Sequence, residues 1–212
     1  MSTKKTIAVI GANGRSGRVF VREALRLGHR VRAGVRWSHT FEPSNNLDVV
    51  VCDATDKFDV KVLCEGADVV VSLLGHVKDS PDRVQTEAIQ TILKVMNSLK
   101  IKRLISLTGT GVRFIGDTPG FVDKFANFAI KLVDPQRIAD GIEHAEVLKS
   151  SQVDWTLLRV LKLTNSHAPK GRVPMSTTGP AKTLTSREEV AKAIVQLIED
   201  DSYIRQALII VK

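Results

Sequence analysis

Three glycines spaced three residues apart, Gly11, Gly14 and Gly17, stand in the run IAVIGANGRSG at residues 7–17. An apolar run precedes them and a helix-forming stretch follows, so the segment reads as a strand entering a helix through a glycine turn. A dinucleotide pyrophosphate needs bare backbone N–H groups and the positive end of a helix dipole, with no side chain in its way. Gly11 would make the tight turn, Gly14 admit the pyrophosphate and Gly17 let the helix approach the strand. Asn13, Arg15 and Ser16 line the same turn with groups that reach phosphate oxygens. Arg36 falls at the expected end of the second strand, where a site selective for NAD carries an acidic residue for the ribose hydroxyls. No Asp or Glu lies between Glu23 and Glu42. A guanidinium grips a 2′-phosphate that a carboxylate would repel. The expected cofactor is therefore NADP(H), with Arg15 a second candidate for the same phosphate.

The next strand ends continue the pattern. Asp53, followed by Ala54, closes VVVCDATD and is placed to bond an adenine amino group. Leu74 and Gly75 close SLLGH, where the backbone must pass near the ribose. Thr108 closes the fifth strand, toward the nicotinamide. For proton chemistry the candidates are His76, whose imidazole donates near neutral pH, and Thr108 and Thr110, which could orient substrate or water. His144 falls in an expected helix and reads as structural. No metal site is expected.

These residues need a frame, and the chain supplies one. Apolar runs at 6–10, 30–35, 48–52, 67–73, 102–108 and 153–159 alternate with helical segments. The clearest helix is 82–99, where Val84, Ala88, Ile92, Val95 and Leu99 form one stripe beside Ile89, Leu93 and Met96. Ser186 and Glu189 form a capping box that opens a helix through about Ile198, and ALIIV at 207–211 supplies a last strand. Near-continuous β-branched strands between amphipathic helices mean a parallel sheet covered on both faces. The expected fold is one doubly wound, Rossmann-type α/β domain over residues 1–212. Two stretches exceed a minimal version of it, 109–135 and 160–183. Both follow strand ends and are read as the substrate-side wall, or else as peripheral loops.

Composition narrows the partners. The 212 residues are 43% hydrophobic and 25% charged, as in an ordinary soluble domain. The net charge of +8 is dispersed, with no basic run interleaved with aromatics, so nucleic acid is not expected. No apolar run suits a membrane span. Cys52 and Cys64 read as reduced thiols of a cytoplasmic protein. A monomer or weak dimer is expected.

GANGRSG, VR at 35–36, CDATD at 52–56, SLLGH at 72–76, KRLISLTGTGV at 102–112, DWTLLR at 154–159 and TSREEVAKAI at 185–194 occur in that order. In this the chain resembles the atypical short-chain dehydrogenase/reductases, and within them the NmrA-like and biliverdin-IXβ/flavin reductase group. The resemblance implies NADPH across the strand ends and, in some members, hydride transfer to flavins or linear tetrapyrroles. It places Gly11, Gly14, Arg15, Ser16 and Gly17 at the pyrophosphate, Arg36 at the 2′-phosphate, Asp53 at adenine, Leu74 and Gly75 at the ribose, and Thr108 at the nicotinamide. Two positions depart from that group's pattern. Thr108 is followed by Gly109 where flavin-reductase-like enzymes carry Ser, and Arg159 by Val160 where Pro is usual. The Tyr–Lys pair that most short-chain reductases use is missing, since the single tyrosine, Tyr203, has Ala207 four residues on. Two functions stay open: a reductase of a small conjugated acceptor (flavin, quinone or tetrapyrrole-like), or an NADP(H)-sensing regulator that binds a partner protein.

Overall fold

The structure is a computed structural model that describes residues 4–77 and 80–212. Along the chain run β1 (Thr6–Ile10), α1 (Arg15–Arg26), β2 (Arg30–Val35), β3 (Leu47–Val51), α2 (Lys57–Cys64), β4 (Val69–Ser72), α3 (Val84–Leu99) and β5 (Arg103–Gly109). There follow α4 (Phe121–Val133), α5 (Pro135–Ser150), β6 (Asp154–Val160), β7 (Lys162–Thr164), β8 (Met175–Ser176), β9 (Leu184–Ser186) and α6 (Arg187–Glu199). A short 3-10 turn (Asp201–Tyr203) and β10 (Gln206–Ile210) complete it.

Val, Ile and Leu supply most of the buried strand positions, and the strands pair in the order β3-β2-β1-β4-β5-β6-β10-β8. Every pairing is parallel except β8 on β10. The strand order reverses between β1 and β4, and the crevice outside the carboxyl ends of these strands is where such sheets take ligands. Helices cover both faces. Phe20, Val21 and Ala24 of α1 and Val190, Ile194 and Leu197 of α6 pack on one side. Leu63 of α2, Ile89, Ile92 and Met96 of α3, and Leu148 of α5 fill the other.

Helix starts follow local chemistry. Ser186 Oγ accepts from Glu189 N at 3.0 Å, and Glu189 Oε2 accepts from Ser186 N at 2.8 Å, which is the capping box the sequence predicts. Asp134 caps α5, whose first residue is Pro135.

Three features differ from the expectation. The second, third and fourth strands stop at Val35, Val51 and Ser72, so Arg36, Asp53 and Leu74 fall just past the ladder. There all three line the crevice. The strands β7, β8 and β9 have two or three residues each, too few to show a period of two. The aromatic run FVDKFANFAIKLV is a helix, α4, with Phe121, Phe125, Phe128 and Leu132 all exposed.

Cys52 and Cys64 are free and buried, and burial pushes both thiols up to about 12. Among the described residues, no helix is long and apolar enough to cross a membrane. Nor does any group of three His, Cys, Asp or Glu there converge as a metal site would require.

Candidate functional site

A cleft of about 640 Å³ runs along the carboxyl ends of β1, β2, β4, β5 and β6. Its walls include Gly11, Asn13, Gly14, Arg15, Ser16, Arg36, Asp53, Ala54, Leu74, Gly75, His76, Thr108 and Thr110. Of the cofactor and proton-chemistry candidates read from the sequence, Gly17 alone stands behind the wall, buried under the turn.

The glycine turn is set by backbone geometry. Gly11 has φ +75°, a left-handed value that favours glycine, and Ala12 N donates to Gly34 O at 3.2 Å. A Cβ on Gly17 would meet Gly11 O at 2.2 Å and Ala12 O at 2.5 Å, so any side chain there pushes α1 off the strand. Gly14 is the N-cap of α1, with no side-chain cap and no acidic residue in the first turn. The amides at that helix start therefore have no acceptor from a capping side chain, as an anion site requires. Asn13 is fixed from two directions: its Nδ2 donates to Ser38 O at 3.0 Å, and Arg18 Nε donates to its Oδ1 at 3.0 Å.

Arg36 is exposed at the rim. Asp53 sits beside it, its carboxylate accepting from Thr55 N at 2.9 Å and Thr55 Oγ1 at 2.8 Å. Those bonds, with the Arg36 charge, hold Asp53 below the usual carboxylate range. Gln85 Nε2 donates to Leu74 O at 2.8 Å and so fixes the backbone past β4. The cradle fits a dinucleotide with a 2′-phosphate: bare amides, glycines where a Cβ cannot stand, and an exposed cation at the rim.

At the other end, side chains from distant parts of the chain converge. His76 Nε2 lies 2.8 Å from Asp140 Oδ2, on α5. The Asp140 side chain is fully buried and also accepts from Gln85 N (2.9 Å), Thr86 N (2.9 Å) and Thr86 Oγ1 (2.6 Å). It thus caps α3 from another helix while orienting the imidazole. With the Nε2 proton held by the carboxylate, Nδ1 is the nitrogen through which His76 can exchange a proton.

Thr110 lines the cleft with its hydroxyl already engaged. Its hydroxyl donates to Asp123 Oδ1 at 2.6 Å, which leaves no proton for a ligand. Asp123 also accepts from Arg113 Nη1 (2.7 Å) and Asn127 Nδ2 (2.6 Å), tying α4 to the end of β5. Thr108 has room because its neighbour on α5 is Gly141, where a Cβ would meet Thr108 Oγ1 at 3.1 Å. Beneath them, Arg159 is fully buried and bidentate to Asp117, at 2.5 and 2.8 Å, with its guanidinium over the Phe114 ring. His144 lies under the cleft, 3.1 Å from Ser106 Oγ, and burial lowers its pKa to about 4.

Asn127, Ile130, Arg137, Ile138 and Arg187 also line the cleft and were not read from the sequence. Asp140 could have been: it is an acid on the buried stripe of α5, with Gly141, His144, Ala145 and Leu148. The cations on the wall are Arg15, Arg36, Arg137 and Arg187, and Asp53 is its one carboxylate among the described residues. Tyr203 packs on the core near β10 and does not line the cleft.

A family model described as NAD(P)H-binding matches residues 11–201. The protein TIC 62, chloroplastic, of Arabidopsis thaliana is 26% identical over 144 residues, which is 56% of this chain and 22% of that protein. The chain thus spans about a fifth of the length of that curated relative. The crystal structure of the oxidoreductase ylbE from Lactococcus lactis superposes with a TM-score of 0.81 at 18% identity, covering 98% of this chain and 90% of that one. A short-chain dehydrogenase/reductase from Veillonella parvula in complex with NADP also gives 0.81 at 18% identity, covering 99% and 95%. At such identities the likeness is one of fold.

Proposed function

The chain belongs to the NAD(P)H-binding family, and from that membership we propose that it is an NADPH-dependent reductase of a small conjugated acceptor, such as a flavin, quinone or tetrapyrrole-like molecule. The observation that carries this reading is the continuity of the cleft. The glycine cradle at one end opens without a partition onto a compartment walled by His76, Thr108, Asn127, Ile130 and Ile138.

In this reading Arg36 holds the 2′-phosphate and the amides of Gly14–Gly17 hold the pyrophosphate. Asp53 and Ala54 meet adenine, Leu74 and Gly75 the ribose, and Thr108 the nicotinamide side. When bound, the reduced nicotinamide supplies the hydride. The protein supplies orientation, by stacking the acceptor between the β5 end and α4–α5. His76 supplies a proton through Nδ1 while Asp140 steadies the imidazolium. No Tyr–Lys pair takes part: the acceptor's conjugated system takes the hydride, and His76 supplies the balancing proton. The apolar residues of α4 and α5 beside the compartment suit a flat ligand.

The test is loss of reduced-nicotinamide absorbance with FMN, quinone and biliverdin panels. Turnover on at least one acceptor, reduced in His76→Gln, supports the reading. Tight NADPH binding with no turnover on any would instead support a cofactor-sensing regulator that binds a partner protein. That second reading draws on α4, which leaves Phe121, Phe125, Phe128 and Leu132 exposed.

A further inference from the structure

Two neighbouring helices begin with an arginine that lines the cleft, in the position where a cation is least favourable. Arg15 is the first residue of α1 and Arg187 the first residue of α6, and the two helices pack against each other. A helix start carries a partial positive charge, so a cation in its first turn is opposed by the dipole. Elsewhere proteins place acids there. In α1 none is present. In α6 both first-turn acids are committed elsewhere: Glu189 to the capping box and to Lys182, and Glu188 to Ala168 N at 3.0 Å and His167.

Arg187 is also buried to a degree unusual for an unpaired cation, with 7% of its surface exposed. Its Nη1 donates to Asn165 Oδ1 at 2.6 Å, and its Nε is buried with no partner. Among the described residues no carboxylate comes within ion-pairing distance of it. Burial and the nearby Arg15 charge both hold its pKa below the ordinary arginine value. A buried guanidinium with an unsatisfied N–H, in a cleft wall that also carries the Arg15 charge, is costly unless a ligand brings the counter-charge.

We propose that Arg15 and Arg187 form a two-guanidinium clamp for one phosphoryl group of the bound ligand, closing between the starts of α1 and α6. The inference rests on the NADP(H) reading above, since it adds Arg187 to the residues that hold the ligand. Two sources offer this chemistry: the diphosphate of the cofactor, and a phosphate carried by the acceptor. The clamp is separate from Arg36, which answers to the 2′-phosphate at the rim.

Arg187→Gln removes the charge and keeps much of the volume. Calorimetry with 2′-phospho-ADP-ribose, which has the diphosphate, and 2′-AMP, which lacks it, separates the two anion sites. Binding of the first weakened about tenfold or more, with the second unchanged, assigns the clamp to the diphosphate. Both nucleotides unchanged, but FMN weakened by that factor and riboflavin not, assigns it to the acceptor's phosphate. No change with any ligand overturns the proposal. So does a lower melting temperature of the ligand-free variant with all affinities intact, since that marks Arg187 as merely structural. The expected ligand-free variant melts no lower than wild type, because an opposed charge has been removed. Arg187→Lys should recover part of the lost affinity. Failure of the wild type itself to bind either nucleotide removes the NADP(H) reading and the clamp with it, and is told apart from failure of the clamp alone.

Discussion

Around Gly11–Gly17 the cleft is made of backbone, whereas around Thr108 it is made of side chains that meet across the fold. In the first region, turn, helix start and amides come from residues adjacent in sequence. Side chains matter there mainly by their absence, as at Gly17. In the second region Asp140 reaches His76, Gln85 and Thr86, Asp123 reaches Thr110 and Arg113, and Asp117 reaches Arg159. The first region binds with groups that every protein has. The second depends on a few pairs, each of which fails if one member is lost.

Four experiments would break or sharpen that contrast. Asp117→Ala strands the fully buried Arg159 without its carboxylate and should cost about 3–5 kcal/mol in chemical denaturation. Binding of 2′-AMP at the opposite end should persist wherever the variant is folded, and its loss would mean the two regions are one unit. Next, acid should act through His144. Its folded pKa of about 4 lies below the 6.5 of the exposed group, so the unfolded chain binds the extra proton first. Stability from this residue is complete above pH 6.5 and is lost as pH falls toward 4, by about 3 kcal/mol at most. His144→Gln should flatten that part of the stability–pH curve, and an unchanged curve would show that other groups carry it. On the backbone side, Gly17→Ala should weaken NADPH binding about a hundredfold, through displacement of the α1 start. Smallest is Arg36→Asp, which should narrow the preference for NADPH over NADH by about tenfold or more. Equal dissociation constants for the two cofactors in the wild type would remove Arg36 from its assigned role.

The same contrast explains what the sequence discloses. A glycine turn, a run of valines and a capping box are local patterns, and residues 7–17, 69–72 and 186–189 declare themselves. The positions of Arg36, Asp53 and Leu74 follow because each trails a strand whose end the alternation locates within two residues. Asp140, Asp123 and Arg187 do not show in this way, because their partners lie far away in sequence. What sequence could show was an anomaly: an acid on the buried stripe of α5, and an arginine opening α6. Thr110 shows the same limit from the other side, since it does line the cleft. Its type and place suggested contact with a ligand, and only the fold shows its hydroxyl given to Asp123.

The strand β8 pairs two residues, Met175 and Ser176, antiparallel to β10, and Pro174 stands directly before it. A sheet's last strand is a template for a stranger's strand, and a short, proline-flanked one offers almost nothing to copy. The segment that carries it also supplies Val160, Leu161 and Leu163 to the cleft wall. The cleft wall and the cover of the sheet edge are thereby built from one stretch of chain. Under the proposed function, remodelling 160–183 to admit a different acceptor would also disturb the strand that covers β10, a penalty that changes on α4 would not carry.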